Sequence, residues 1–225
     1  RAALIQKDGS VEGAEEACKT FIAFRRDAKW PLRIPAADVI TPLRTGMHVL
    51  WPARLQSRAG YPVLLYDTAK LDSSVCSIKE YQEMGSFLLE ALLYGDTRFT
   101  DLQENASFKT NGIVYMVVDA RSMGVSGVSE FTFDDIFRGT GMFQDSFPVK
   151  FRKIFVLTSS YLLGSMASAL LMLMPAKLQE RVVMVDEDLQ LLHDEVSPDY
   201  LPASLGGTSH IDWEGRVSEC CQTET

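Results

Sequence analysis

The chain has 225 residues, of which 46% are hydrophobic and 23% charged, and these proportions are typical of a globular protein with a substantial core. Its formal net charge of −8 argues against general binding to nucleic acid, because contacts to phosphates require a basic surface. The four cysteines and three histidines show no spacing typical of zinc ligands, so we expect no metal site.

The first third of the sequence predicts a helix followed by a β-hairpin. Apolar residues recur with helical spacing over residues 11–27, and two prolines soon afterwards end that pattern. Two apolar segments, 47–51 and 62–67, flank a turn at residues 57–60 and predict two paired strands. The sequence opens without a methionine or a signal peptide, so we expect a segment of a longer protein.

The remainder of the chain alternates between helical and extended patterns. Helices are predicted over residues 78–95, 134–147 and 161–174, with a last one starting at 189, and strands over 113–119, 151–157 and 182–185. The segment 113–119 is a continuous apolar run rich in β-branched residues, typical of a central strand covered on both faces. The alternation predicts an α/β fold with a mixed, largely parallel sheet.

The predicted helix at residues 161–174 is apolar around its whole circumference. Such a helix has to be covered on every side by protein, by lipid or by a partner. One alternative is a fully buried core helix. Another is a transmembrane segment, since residues 154–175 carry no charge, but residues 154–157 fit a short strand better and the rest is short for a span.

Four segments carry a family resemblance by their order and spacing. They are LRTGMHVLWPARLQSRAGYPVLLYDTAKLD (43–72), NGIVYMVVDARSMG (111–124), DSFPVKFRKIFVLTSS (145–160) and LPASLGG (201–207). With them the sequence resembles the CRAL-TRIO lipid-binding family, which includes alpha-tocopherol transfer protein, cellular retinaldehyde-binding protein and fungal phosphatidylinositol-transfer proteins. The resemblance implies a sheet that floors a lipid cavity, closed by a mobile gate helix at residues 161–174.

The resemblance also predicts how the chain is organised and which residues line the cavity. It implies a remnant of an N-terminal helical region at 1–37, a lipid-binding domain at 38–208 and a polar C-terminal tail at 209–225. The cavity candidates are Phe87, Leu88, Ala91, Leu92, Val114, Met116, Val118, Phe133, Ile136, Phe137 and Phe143. The gate-helix candidates are Tyr161, Leu162, Leu163, Met166 and Leu170. Taken singly, each of these is more often an ordinary core residue; as a set they predict a cavity.

Four basic residues predict a second site, on the surface. Lys150 and Arg152 lie two apart on a predicted strand, and Lys177 and Arg181 are one helical turn apart, so each pair shares a face. The resemblance implies that residues at these positions contact phosphoinositide head groups. Arginine and lysine suit phosphate because they form charge-assisted hydrogen bonds. The alternative is an ordinary solvated surface.

The residue that follows Pro148, the proline before the predicted strand at 151–157, bears on the identity of the cargo. Classical phosphatidylinositol binders of the family have a glutamate there, whereas this chain has Val149. We therefore expect a compact hydrophobic cargo such as a tocopherol, a retinoid or another terpenoid-like molecule, with a phospholipid-like ligand as the other choice.

The sequence thus predicts a non-enzymatic carrier that binds one hydrophobic lipid and transfers or presents it between membranes. No G-x-S-x-G elbow and no glycine-rich phosphate loop supports catalysis or nucleotide binding. We expect no cofactor beyond the bound lipid, no nucleic-acid partner, and a cytoplasmic protein that is peripheral at membranes containing phosphoinositides. The alternative is a lipid-sensing or membrane-targeting regulatory module of a larger signalling protein, such as a phosphatase or a GTPase regulator.

Overall fold

The computed structural model describes the greater part of the chain. The described residues are 3, 6–31, 34–50, 57–94, 112–122, 148–159, 171–172, 176–186, 188–210 and 212–222. The predicted helix at 134–147 and nearly all of the predicted helix at 161–174 therefore lie outside the described residues.

A five-stranded sheet forms the centre of the described fold. Its strands are β1 (His48–Leu50), β2 (Val63–Asp67), β3 (Ile113–Asp119), β4 (Lys150–Leu157) and β5 (Val182–Val185), and they lie side by side in chain order. β1 runs antiparallel to β2, and every other neighbouring pair is parallel. The predicted hairpin and the predicted mixed, largely parallel sheet are both confirmed.

Six α-helices are found among the described residues. They are α1 (Val11–Ala28), α2 (Ile40–Thr45), α3 (Ile78–Tyr94), α4 (Ala176–Gln179), α5 (Gln190–His193) and α6 (Trp213–Gln222). α3 begins with a capping box, in which the Glu80 carboxylate accepts from the Ser77 backbone N–H at 2.7 Å and the Glu80 N–H donates to the Ser77 hydroxyl at 3.3 Å. The donation from Ser77 lowers the pKa of Glu80.

β4 contains one irregularity that sets which way its side chains point. Val114 of β3 pairs with Phe151 of β4, and Met116 of β3 pairs with Ile154 of β4. Two residues of β3 thus span the same distance as three residues of β4. β4 therefore has one extra residue between these pairs, which is a β-bulge. As a result Phe151 and Ile154 both pack in the same core cluster, although they are three residues apart.

Two apolar clusters lie on opposite faces of the sheet. On one face, which we call the helix face, side chains of β2, β3 and β4 pack against α3. On the other, which we call the opposite face, Tyr115, Val117 and Phe155 pack against residues of the segment 192–205. A connection between two neighbouring parallel strands is almost always right-handed. Successive connections that proceed in one direction across the sheet therefore lie on the same face. α3, the crossover from β2 to β3, therefore defines the face on which a cavity is expected.

The segments at both ends of the described chain pack into this fold. Ile34, Ala36 and Val39 belong to the helix-face cluster, so the N-terminal region shares a core with the sheet. Residues 209–225, for which the family resemblance implies a polar C-terminal tail, include α6. Its Val217 is fully buried, and the Trp213 indole N–H donates to the Leu43 carbonyl at 2.7 Å. No helix among the described residues is both long enough and apolar enough to span a membrane.

Candidate functional site

The structure brings together the cavity candidates that it describes. Phe87, Leu88, Ala91 and Leu92 are buried on α3 and belong to the helix-face cluster. The β3 candidates lie across from them, because Val114 and Met116 are buried in the same cluster and Val118 packs against it. These side chains share a face since they alternate along β3 and repeat with helical spacing along α3.

Half-buried apolar side chains continue this face across the central strands. Val118 pairs with Val156, and Val156 pairs in turn with Met184 of β5. All three are only partly buried, whereas Val117 and Phe155, their neighbours on the opposite face, are 0% exposed. Val118 and Val156 lie on the inner strands β3 and β4, where apolar side chains are normally packed tightly, so their partial exposure indicates open space above them.

We call this group of side chains the apolar floor. It consists of Met116, Val118, Ile154, Val156, Val182 and Met184. Of these, Ile154, Val156, Val182 and Met184 were not predicted from the sequence, although alternation places the members of each strand on one face. The β-bulge hid the β4 residues, because strict alternation from Phe151 turns Ile154 and Val156 to the other side.

The remaining cavity and gate candidates lie outside the described residues. They are Phe133, Ile136, Phe137, Phe143, Tyr161, Leu162, Leu163, Met166 and Leu170. Of the residues that follow in the predicted gate helix, 171–172 are described as helical, and the Met172 side chain is 78% exposed. A methionine exposed to this extent suits contact with lipid or with a partner.

Val149, the position at which classical phosphatidylinositol binders have a glutamate, is part of the core. Its side chain is 2% exposed and belongs to the helix-face cluster, immediately before β4. Its carbonyl accepts a hydrogen bond from the Gln6 amide at 3.3 Å. An apolar side chain at this place offers no hydrogen bond to an inositol ring.

Three of the four predicted basic residues lie around one carboxylate. The Lys150 ammonium group bonds to the Asp8 carboxylate at 2.6 Å. This hydrogen bond and the charge of Lys150 lower the pKa of Asp8, and the charges of Arg181 and Lys177 lower it further. We call Lys150, Lys177 and Arg181 the basic cluster. Asp8 was not predicted from the sequence, because it is 142 residues from Lys150 in the chain.

Arg152 has a different environment. The pKa of Glu195 is lowered chiefly by a hydrogen bond from Lys153, and the charge of Arg152 lowers it further. Burial raises the pKa of Tyr115, although Arg152 acts in the opposite direction there. Lys153 forms an ion pair with Glu195, and the Tyr115 hydroxyl donates to the same carboxylate at 3.1 Å. Since Tyr115 belongs to the opposite-face cluster, these groups form a polar network on that side of the sheet.

A second ion pair, between Asp119 and Arg121, lies at the carboxyl end of β3. Arg121 donates to both Asp119 carboxylate oxygens, at 2.9 and 2.7 Å, and also to the Ser204 carbonyl at 2.6 Å. The hydrogen bonds that Arg121 donates to the Asp119 carboxylate raise the pKa of Arg121. Asp119 thereby holds the loop after β3 against the segment around Ser204. Among the described residues no cluster of histidine, cysteine and acidic side chains is arranged to hold a metal ion.

A comparison with protein-family models matches residues 48–207 to the family described as the CRAL/TRIO domain. The chain belongs to the CRAL/TRIO domain family. The match includes every strand of the sheet, α3 and the segment that covers the opposite face, so it contains all buried residues of the opposite-face cluster and most of those of the helix-face cluster.

Individual proteins support the same assignment. Clavesin-1 of Rattus norvegicus, Pongo abelii and Mus musculus is 22% identical over 160 residues, which are 70% of this chain and 42% of each relative. The chain thus spans less than half the length of these relatives. The crystal structure of Sfh5 superposes with a TM-score of 0.58 at 10% sequence identity, covering 99% of this chain and 78% of that one, and confirms the α/β fold.

Proposed function

We propose that this CRAL/TRIO domain binds one hydrophobic lipid over the apolar floor and transfers or presents it between membranes. The observation that carries the proposal is the difference between the two faces of the sheet. Val118 and Val156 are half-buried on the helix face, while Val117 and Phe155 beside them are 0% exposed on the opposite face. A lipid lying on the floor removes this apolar surface from water.

The chemistry of the floor indicates what kind of molecule binds there. Each Å² of apolar surface buried contributes about 25 cal/mol, so contact area supplies most of the affinity and a few polar groups orient the ligand. Val149 supplies no polar group where an inositol ring of a classical ligand would need one. A compact cargo of the tocopherol or retinoid type fits this better than a phosphatidylinositol, and a phospholipid-like ligand is the second choice.

A bulky substitution on the floor tests the proposal. We expect Val156→Phe to reduce the uptake of lipid by about tenfold or more, because the added ring fills the space that the ligand needs. Native mass spectrometry of the purified protein measures the fraction that carries a lipid, and extraction followed by mass spectrometry identifies it.

Val183→Phe is the matched control, because Val183 is also a half-buried valine but packs with the opposite-face cluster. It should leave lipid uptake unchanged. Equal uptake by both variants, or a wild-type protein that takes up no lipid, would contradict the proposal. Uptake of lipid without transfer between vesicles would favour a regulatory module of a larger protein instead.

We further propose that the basic cluster binds phosphoinositide head groups at the membrane surface. Lys177 lies three residues after the predicted gate helix, and the exposed Met172 precedes it. An apolar side chain beside cations suits the surface of an anionic membrane, where the cations bind phosphates and the apolar group enters the lipid.

The double substitution of Lys177→Ala with Arg181→Ala tests the head-group site. A basic residue near an anionic membrane contributes about 1 kcal/mol, so losing two should weaken binding to phosphoinositide vesicles by about 30-fold. Vesicle co-sedimentation measures the affinity. The control is Arg44→Ala with Lys79→Ala, which removes two exposed cations elsewhere. If both double variants bind equally well, the basic cluster is not the site.

No catalytic step is part of the proposed function. Asp119, the acidic residue whose place at a strand end is typical of catalytic groups, has both carboxylate oxygens bonded to Arg121. A carboxylate held in this way positions the loop after β3 through Arg121, which also donates to the Ser204 carbonyl. The proposed activity depends on solvation of the lipid alone.

A further inference from the structure

The turn before α1 places a carboxylate in the basic cluster. Asp8 has a left-handed backbone conformation with φ 51°, and Gly9 follows with φ 90°. Asparagine and aspartate adopt the left-handed region more readily than most residues with a side chain. The hydrogen bond from Gln6 to the Val149 carbonyl holds this turn beside the start of β4. The position of Asp8 therefore does not depend only on its ion pair.

The charges of the cluster are only partly balanced. Lys150 forms its ion pair with Asp8, whereas within the described part of the chain neither Lys177 nor Arg181 forms one. Three cations therefore face one carboxylate. A phosphate monoester carries up to two negative charges and three acceptor oxygens, so it matches the cluster better than a single carboxylate does.

The ion pair that Asp8 makes is accessible to solvent. The Asp8 side chain is 82% exposed and that of Lys150 is 23% exposed. Exposed ion pairs contribute little to stability, because water and salt screen them and ordering two side chains costs entropy. A ligand of higher charge can replace such a pair at small cost.

We propose that Asp8 acts as an internal counter-ion of the basic cluster, which an anionic phosphate head group displaces when it binds. The inference rests on the proposed function, since it concerns how the same cluster is occupied. Asp8 weakens binding of the head group, because its ion pair with Lys150 has to break first. Binding of a phosphate therefore removes one of the two contacts that tie the turn to β4, and the hydrogen bond from Gln6 to the Val149 carbonyl alone holds residues 7–10 more loosely.

The substitution Asp8→Asn in the full chain tests this inference. Asparagine keeps the left-handed conformation and removes the charge, so the turn is retained. We expect the affinity for phosphatidylcholine vesicles containing phosphatidylinositol bisphosphate to rise by about two- to fivefold, the range that an exposed ion pair supports. Asp27→Asn is the matched control, because Asp27 is an exposed aspartate of the same N-terminal region. Equal affinities of the two variants would overturn the inference.

Hydrogen exchange supplies an independent measurement. A soluble inositol phosphate, added to wild-type protein without any bilayer, should accelerate exchange of the backbone amides of residues 7–13. Their hydrogen bonds include Ser10 N–H to the Lys7 carbonyl at 3.0 Å. Unchanged or slower exchange with the probe bound would show that the phosphate binds without displacing Asp8, and the inference would be wrong.

The two proposals fail in different ways. If Lys177→Ala with Arg181→Ala binds the vesicles as wild type does, the head-group site itself is wrong. If that double variant loses binding while Asp8→Asn behaves as Asp27→Asn does, the head-group site stands and only the role of Asp8 is refuted. Vesicles in which phosphatidylserine supplies the same charge separate recognition of the phosphate monoester from attraction to any anionic surface.

Discussion

His48 occupies an unusual environment for an ionisable residue. It lies on β1 opposite Tyr66, with the two ring centroids 4.3 Å apart, and its side chain is packed against Gly85 of α3. The residue is 4% exposed, and its Nδ1 atom has no hydrogen-bond partner among the described residues. Burial lowers the pKa of His48 to about 3, so the folded protein holds a neutral imidazole.

This environment predicts that acid destabilises the fold through His48. The unfolded chain binds a proton at this residue near pH 6.5, whereas the folded protein does not do so until about pH 3. Stability from the neutral imidazole is therefore complete above pH 6.5 and decreases as the pH falls towards 3. At pH 5 the loss amounts to about 2 kcal/mol. Urea unfolding at pH 7 and pH 5 measures the difference.

His48→Leu is the comparison variant for this prediction. Leucine has a similar volume and cannot be protonated, so its free energy of unfolding should decrease less than that of wild type between the two pH values. A decrease of the same size in both proteins would show that other groups, chiefly carboxylates, cause the whole effect.

At the scale of elements, a buried ion pair joins α1 to α3. Arg25 and Glu90 form it, and each side chain is 3% exposed. The Glu90 carboxylate also accepts from the Ile34 backbone N–H at 3.2 Å, and Arg25 donates to the Pro31 carbonyl. Two helices and the segment between α1 and α2 thus depend on one pair of charges.

We expect Glu90→Gln to lower the free energy of unfolding by about 3 kcal/mol or more, because it leaves the Arg25 charge buried without a counter-charge. Chemical unfolding followed by circular dichroism measures the change. Glu15→Gln is the matched control. Glu15 also forms an ion pair, with Lys19 on α1, but both of these side chains are more than 60% exposed. That control should change stability by less than about 0.5 kcal/mol. Similar losses in the two variants would contradict the prediction.

Elements with strong local signals were predicted correctly. The apolar run of β3 predicted a central strand, and the helix that begins at the capping box of Ser77 and Glu80 was predicted at residues 78–95. The predicted apolar face of α1 was partly wrong, because Val11 is 73% exposed and Ile22 is 49% exposed, while the charged Arg25 is buried. Helical spacing alone does not show that a buried partner such as Glu90 draws a charged residue inward.

For the molecule as a whole, the α/β class and the mixed, largely parallel sheet followed from the alternation of helical and extended patterns. The association of Asp8 with the basic cluster and of Trp213 with Leu43 could not be predicted in this way. Each contact joins residues more than 140 positions apart, at 2.6 and 2.7 Å respectively. Helical and strand periodicity report only on residues that are close together in the chain, so neither contact follows from such a pattern.

The extra residue in β4 has a consequence for any lipid on the helix face. In a regular strand the side chains of two adjacent residues point to opposite faces of the sheet. Either Arg152 or Lys153 would then point into the apolar interior, where burying an unpaired charge is strongly unfavourable. The bulge lets both turn towards Glu195, while Ile154 resumes the inward direction that Phe151 has. The bulge thus keeps the charged side chains of β4 on the opposite face of the sheet and its apolar side chains on the helix face.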